Sequence, residues 1–264
     1  MKKILAMLIA MLLAAALAGC KEKTNSNAKL LETITAESDG IVYTTKLDYD
    51  DKLRIVKKTH HRGGILTHTE TVTYDGAGSV KIAYDNIEAE MTMEAHFAIE
   101  ANTITVQRSD VSYGTEKLTV NKDGKITESI TYPDPAYDEV RHIVHSYSGS
   151  NLIETKGVSG PGHTHELLEK YEYGDKKTSF YHCKTPKWLL QHLFLYTDAS
   201  RNNVTKGNIS HHHGEQINEY MYEYDTDGLP TRRTLTVKDL DGHFMHAETT
   251  RFVYRNTAKT NQSQ

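Results

Sequence analysis

Histidine offers the most chemistry in this sequence. The chain holds fifteen, and they come in groups: His60-His61, His163 and His165 beside Glu166, His211 to His213, and His243 with His246. Neutral imidazole is a common ligand of zinc and other transition metals. On a strand, residues 163 and 165 share a face, so two such groups brought together would supply a zinc centre and, with it, a metal-dependent hydrolase. The competing reading is solvated loop histidine. Gly160-Pro161-Gly162 precede His163 and Gly214 follows His213, which places both groups in loops, and no HExxH pair occurs. His163, His165, His211 and His213 stand as the metal candidates. No catalytic residue and no cofactor is otherwise expected.

A second candidate is acidic. Tyr222 to Arg233 reads YEYDTDGLPTRR and sets Asp225, Asp227 and Gly228 between two strand-like stretches. An EF-hand calcium loop needs oxygen ligands at positions 1, 3, 5 and 9 and a bidentate Glu at 12. Counted from Asp225, position 12 is Thr236, and Arg232 and Arg233 fall where a cation would sit. The stretch reads instead as a tight turn, with Asp225 bonded to its own backbone two residues on and Gly228 at positive φ. Nucleophile and phosphate signals are missing: there is no G-x-S-x-G, P-loop or G-x-G-x-x-G. His182 and Cys183 are adjacent, and adjacent residues on a strand point to opposite faces, so they form no dyad.

These residues belong to a chain that begins with an address. MKKILAMLIAMLLAAALAGC has two lysines, an apolar run from Ile4 to Ala18, and Gly19-Cys20. That is the layout of an export signal, and the run is shorter than the ~20 residues a spanning helix needs. LAGC resembles a bacterial lipobox, and the resemblance implies acyl chains, palmitate among them, on Cys20, with 1–19 removed as the signal peptide. Lys21 rather than aspartate follows Cys20, which favours the outer membrane by analogy with lipoprotein sorting. Residues 20–38, opening with the polar KEKTNSNAK, read as a lipidated flexible tether, and 257–264 as a disordered tail. Lys and Arg number 31 against 35 acids, which excludes general nucleic-acid binding. With Cys20 lipidated, Cys183 has no disulfide partner in the chain.

Between these ends, residues 39–256 form a single domain whose dominant period is two. Ile41, Tyr43, Leu47 and Tyr49 fall on one face, as do Val72, Tyr74, Val80, Ile82 and Tyr84, and Asp/Gly clusters interrupt the alternation as hairpin turns do. Aromatic-plus-turn endings recur at Tyr49, Tyr74, Tyr147, Tyr173, Tyr196, Tyr224 and Tyr254, with Asn121 as a degenerate member. One hairpin per repeat accounts for the spacing. The fold class is therefore all-β: a large antiparallel up-and-down meander, strongly curved or closed into a soluble barrel-like sheet. Outward positions are Thr, Lys, Glu and His, which argues against a membrane-crossing wall. One segment breaks the period. Thr185 as N-cap and Pro186 at the first helical position open a short helix near 186–193, with Trp188, Leu189, Leu190 and Leu193 as the face that plugs the sheet.

The hairpins resemble the YD repeats of Rhs-type and teneurin shells. From Lys184 onward the sequence resembles a family of gut-bacterial lipoproteins of unknown function with a porin-like fold. Ser200, Asn202, Asn203, Thr205, Tyr222, Tyr224, Asp225, Asp227, Gly228 and Pro230 match its pattern, and Thr185-Pro186 departs from its Asn-Pro opening. The resemblance implies a barrel-like β-structure without an assigned activity. Two functions follow as expectations. One is a non-enzymatic envelope lipoprotein, attached to the membrane by its lipid and binding a glycan, lipid or protein. The other is the hydrolase built on the histidine groups. Aromatics on a concave face would mark the first; convergence of two histidine groups would mark the second.

Overall fold

The computed structural model describes residues 28–38, 40–76, 78–110, 114–132, 140–159, 165–211 and 214–257. The export signal, Cys20, His163, His212, His213 and the tail from 258 lie outside the described residues. Sixteen strands run in chain order: β1 Lys29–Ser38, β2 Ile41–Tyr49, β3 Ile55–Arg62, β4 Ile65–Tyr74, β5 Val80–Asn86, β6 Met91–Glu100, β7 Thr103–Arg108, β8 Thr115–Val120, β9 Ile126–Tyr132, β10 Arg141–Ser148, β11 Asn151–Ser159, β12 His165–Lys177, β13 Asn202–His211, β14 Gly214–Tyr224, β15 Pro230–Lys238 and β16 Phe244–Asn256. Each pairs antiparallel with its sequence neighbours, and β1 lies beside β16, so the sheet closes into an up-and-down barrel.

The tether expected over 20–38 is corrected: its second half is β1. Leu30 and Leu31 are buried, and Ile34 packs on the core. The polar run before Lys29 hides the alternation that starts there.

The turns account for the aromatic-plus-turn repeat. In an up-and-down barrel every second hairpin falls at the same end, so the turns after β2, β4, β8 and β14 share one end. There the carbonyls of Asp50, Asp75, Asn121 and Asp225 each accept the N–H of the residue three further on. The Asp225 carboxylate also takes the N–H groups of Asp227 and Leu229 at 2.9 and 3.0 Å. Gly228 sits at φ +75°, where a Cβ is strained. The acidic stretch is a turn in which Asp225 accepts from its own backbone. Leu53 occupies the glycine position of the first turn at φ +63°, at a cost of about 1 kcal/mol. Tyrosines near the same end tie strands together. Tyr49, Tyr74, Tyr147 and Tyr254 donate to the carbonyls of Leu31, Ile55, Ile126 and Pro230 at 2.6–2.9 Å, each reaching the start of the preceding strand.

The 178–201 connection between β12 and β13 enters the barrel at this end. It carries α1, Lys187–Leu193, followed by a 3₁₀ turn, Tyr196–Ala199. Trp188, Leu189, Leu190 and Leu193 are buried as expected, against Phe97, Ile82, Val106 and Leu118 of the wall. The cap differs from expectation. Pro186, not Thr185, is the N-cap, and its carbonyl accepts from Leu189 and Leu190 at 3.0 Å. The Thr185 hydroxyl instead accepts the buried Ile55 N–H at 2.8 Å, a donor that would be costly to leave unpaired. Gln191 holds the helix to the opposite wall: its carbonyl oxygen takes the Ile126 N–H and its amide donates to the Tyr147 hydroxyl, both at 2.8 Å.

Candidate functional site

Alternation sends one set of side chains inward, and cross-strand register keeps the set together: Leu47 faces Lys58, Lys58 faces Glu70, and Glu70 faces Tyr84. Beside the helix the inward residues are apolar. A position or two further along they become polar. Lys58 Nζ donates to Glu70 Oε1 at 3.0 Å and to the Leu193 carbonyl. Arg108 pairs with Glu116 at 2.8 Å, and Ser129 donates to the other Glu116 oxygen. Arg233 pairs with Glu248 at 3.4 Å and donates to Thr250 at 2.9 Å. Burial works to raise the Glu70 pKa, but hydrogen bonds and charge from His60 and Lys58 outweigh it and hold the carboxyl below its usual range.

The connection forms a floor across this belt. His192 sits between Tyr84, whose hydroxyl is 3.1 Å from Nε2, and the Phe97 ring, 4.8 Å away. Tyr196 packs on the His145 ring at 4.2 Å. Burial lowers the pKa of His192, takes that of His145 down to about 4, and raises that of Asp198. Asp198 feels Lys58 of β3 and Arg233 of β15, while Tyr196 feels Glu116 of β8 and Glu169 of β12. Lys58 of β3, 4.7 Å over the Phe194 ring, and His145 of β10, against Tyr196, hold this segment between walls. Yet Leu195 is 61% exposed and Asp198 keeps accessible surface. A segment walled in by strands and still exposed faces an internal cavity.

One side of that cavity is aromatic. Tyr171 and Tyr173 point inward from β12, and Tyr220, Tyr222 and Tyr224 from β14. On β13 between them the inward position is Gly207, opposite Tyr171 and Asn218. A Cβ there would stand 3.5 Å from the Tyr171 ring and 3.7 Å from Asn218. Tyr171 donates to Glu169 at 2.7 Å, Gln216 donates to Asn218 at 3.2 Å, and the Arg233 guanidinium lies 5.9 Å over the Tyr220 ring. Burial raises the phenol pKa values of Tyr171, Tyr220 and Tyr222, so these rings are uncharged. Two buried atoms in the same region have no hydrogen-bond partner: His145 Nε2 and Arg233 Nε.

Of the metal candidates, His165 and His211 lie on described strands. His163 and His213 lie outside the described residues, and the side chain of His165, which opens β12, is not described. His211 ends β13 half-buried, opposite Leu167 and Gly214. His165 and His211 thus sit on neighbouring strands, at the end away from the helix. His60 lies inward, its Nδ1 3.1 Å from the Thr45 hydroxyl and its Nε2 3.5 Å from Glu70. Among the described residues, Asp239, Asp241 and His243 bring three ligand-type atoms within 4.8 Å. These line an exposed turn, where Asp239 already accepts the His243 N–H at 2.8 Å. Cys183 and His182 lie in the connection, not on a strand. The Cys183 thiol donates to Thr185 at 3.2 Å and burial raises its pKa, the reverse of what a nucleophile needs. No feature of the described residues favours a hydrolase.

The residues that sequence reasoning passed over were visible in its own alternation. Ile143, His145 and Tyr147 share one parity, as do Tyr171 with Tyr173 and Tyr220 with Tyr222.

No family model matches the sequence, and no curated protein matches it. Among solved structures, a porin-like protein from Bacteroides uniformis ATCC 8492 superposes with a TM-score of 0.55 at 17% identity, covering 85% of this chain and 96% of that one. A porin-like protein from Bacteroides vulgatus ATCC 8482 gives a TM-score of 0.45 at 11% identity over 86% and 99%. At such identities the first likeness is one of fold alone.

Proposed function

We propose that the chain is an exported, non-enzymatic binding barrel, held to the outer membrane by lipid on Cys20, whose ligand enters opposite the helix and rests above Leu195. The observation that carries this is the exposure of Leu195 inside a barrel filled at one end by Trp188, Leu189, Leu190 and Leu193. A barrel filled at one end is a cup, not a conduit. The outer wall supports attachment by lipid instead of insertion. It carries the ion pairs Lys81–Glu94, Lys238–Glu219 and Arg232–Glu223, and basic side chains facing hydrocarbon cost about 2–4 kcal/mol each at the midplane.

Labelling tests the cup. In Leu195→Cys, N-ethylmaleimide is expected to react with the introduced thiol at a rate near that of an exposed cysteine, while buried Cys183 stays unmodified in the folded chain. An introduced thiol as inert as Cys183 would rule the cup out. The anchor is tested separately. Cys20→Ala is expected to move exported protein from the membrane pellet to the soluble fraction, and continued pelleting would refute attachment through Cys20.

A further inference from the structure

We infer that the ligand of this cavity is a neutral saccharide seated between the tyrosines of β12 and β14, an inference that rests on the cavity being the binding site. Two kinds of groups meet there. The first is aromatic surface: Tyr171, Tyr220 and Tyr222 face inward around Gly207, where no side chain fills the wall. Tyrosine presents an apolar face and a polar edge, as a pyranose does.

The second is an alternation of hydrogen-bonding sense. Gln216 and Asn218 carry amides that both donate and accept, Glu169 accepts, and Arg233 donates. Hydroxyl groups also do both, so a polyol can satisfy such a mixture where a ligand of single polarity cannot.

Charge separates the remaining classes. Arg233 is matched by Glu248, Lys58 by Glu70 and Arg108 by Glu116. An anionic ligand would be desolvated among cations already compensated. A neutral ligand loses nothing by that arrangement.

The test uses the full chain purified in mild detergent and carrying Leu195→Cys. Maltohexaose, cellohexaose, xylohexaose and mannohexaose at 5 mM serve as neutral probes, with hexagalacturonate and laurate as the charged and acyl probes. At least one neutral hexasaccharide is expected to slow N-ethylmaleimide labelling at least fivefold. Adding Tyr220→Ala or Asn218→Ala should remove that protection. Tyr220→Phe, which keeps the ring, serves if the alanine variant melts early; it should retain protection in part. Protection by laurate or hexagalacturonate alone would overturn the saccharide assignment and leave the cup standing. Free labelling that no probe slows would overturn it as well. An introduced thiol that never labels would remove the cup and the saccharide together.

Discussion

Trp188→Ala is expected to lower folding stability by about 3–5 kcal/mol, the range for truncating a buried large aromatic. Trp188 is 5% exposed and packs at 5.3 Å from Phe97. Its helix has seven residues, too few to hold together in water without packing. The side chain therefore fixes the helix as well as filling space. The loss would be a large share of the ~5–15 kcal/mol that stabilises a typical domain. Urea unfolding of the purified chain measures it. Met221→Ala is the control, because Met221 is 67% exposed on the outer wall and such changes fall within ~0.5 kcal/mol. Equal midpoints for the two variants would mean that the helix does not hold the barrel.

That prediction was half-legible in the sequence. The apolar run Trp188 to Leu193 breaks a chain whose period is two everywhere else, and an interruption of that kind inside a curled sheet has nowhere to go but the interior. What the run could not give was its cap. Thr185 has the right chemistry for an N-cap, but Ile55, distant in sequence, presents an N–H that needs an acceptor, and the hydroxyl serves that donor. Long-range satisfaction of a buried backbone group outweighed local capping preference.

The same contrast runs through the wall. Strand number and turn chemistry are local matters, set by Asp and Asn oxygens accepting from the backbone within five residues, and alternation reveals them. Closure is not local: it requires β1 to meet β16, and the residues that make β1 a strand, Leu30, Leu31 and Ile34, are masked by the polar run before them. The candidate site differs, because histidines in runs are the conspicuous ones in a sequence. Two of the histidines that the barrel encloses, His145 and His192, are single residues recognisable only by sharing parity or helix face with buried apolar neighbours. Nothing in a linear sequence shows that β12 and β14 turn Tyr171 and Tyr220 toward one cavity.

His145 gives the second large effect, through pH. Its folded pKa is depressed from the ordinary 6.5 to about 4, and desolvation is the cause. The unfolded chain therefore binds this proton first. Stability from His145 is fully present above about pH 6.5, declines as pH falls through the window between the two values, and has vanished below about pH 4. A shift of this size corresponds to roughly 3 kcal/mol. His192, depressed by the same cause, acts in the same direction. Asp198, whose pKa is raised, acts in the opposite one: its contribution is greatest at low pH and is lost as pH rises, so it partly offsets the histidines. Glu70 and Asp50, both lowered, lose their contributions in more acidic solution. A variant isolates the His145 share from these. His145→Leu removes the titration and keeps an apolar contact with Tyr196, so the stability of the parent relative to the variant should fall by roughly 3 kcal/mol between pH 7 and pH 4. Urea unfolding at pH 7, 6, 5 and 4 provides the comparison. Parallel stability curves for parent and variant across that range would show that His145 does not couple folding to protons.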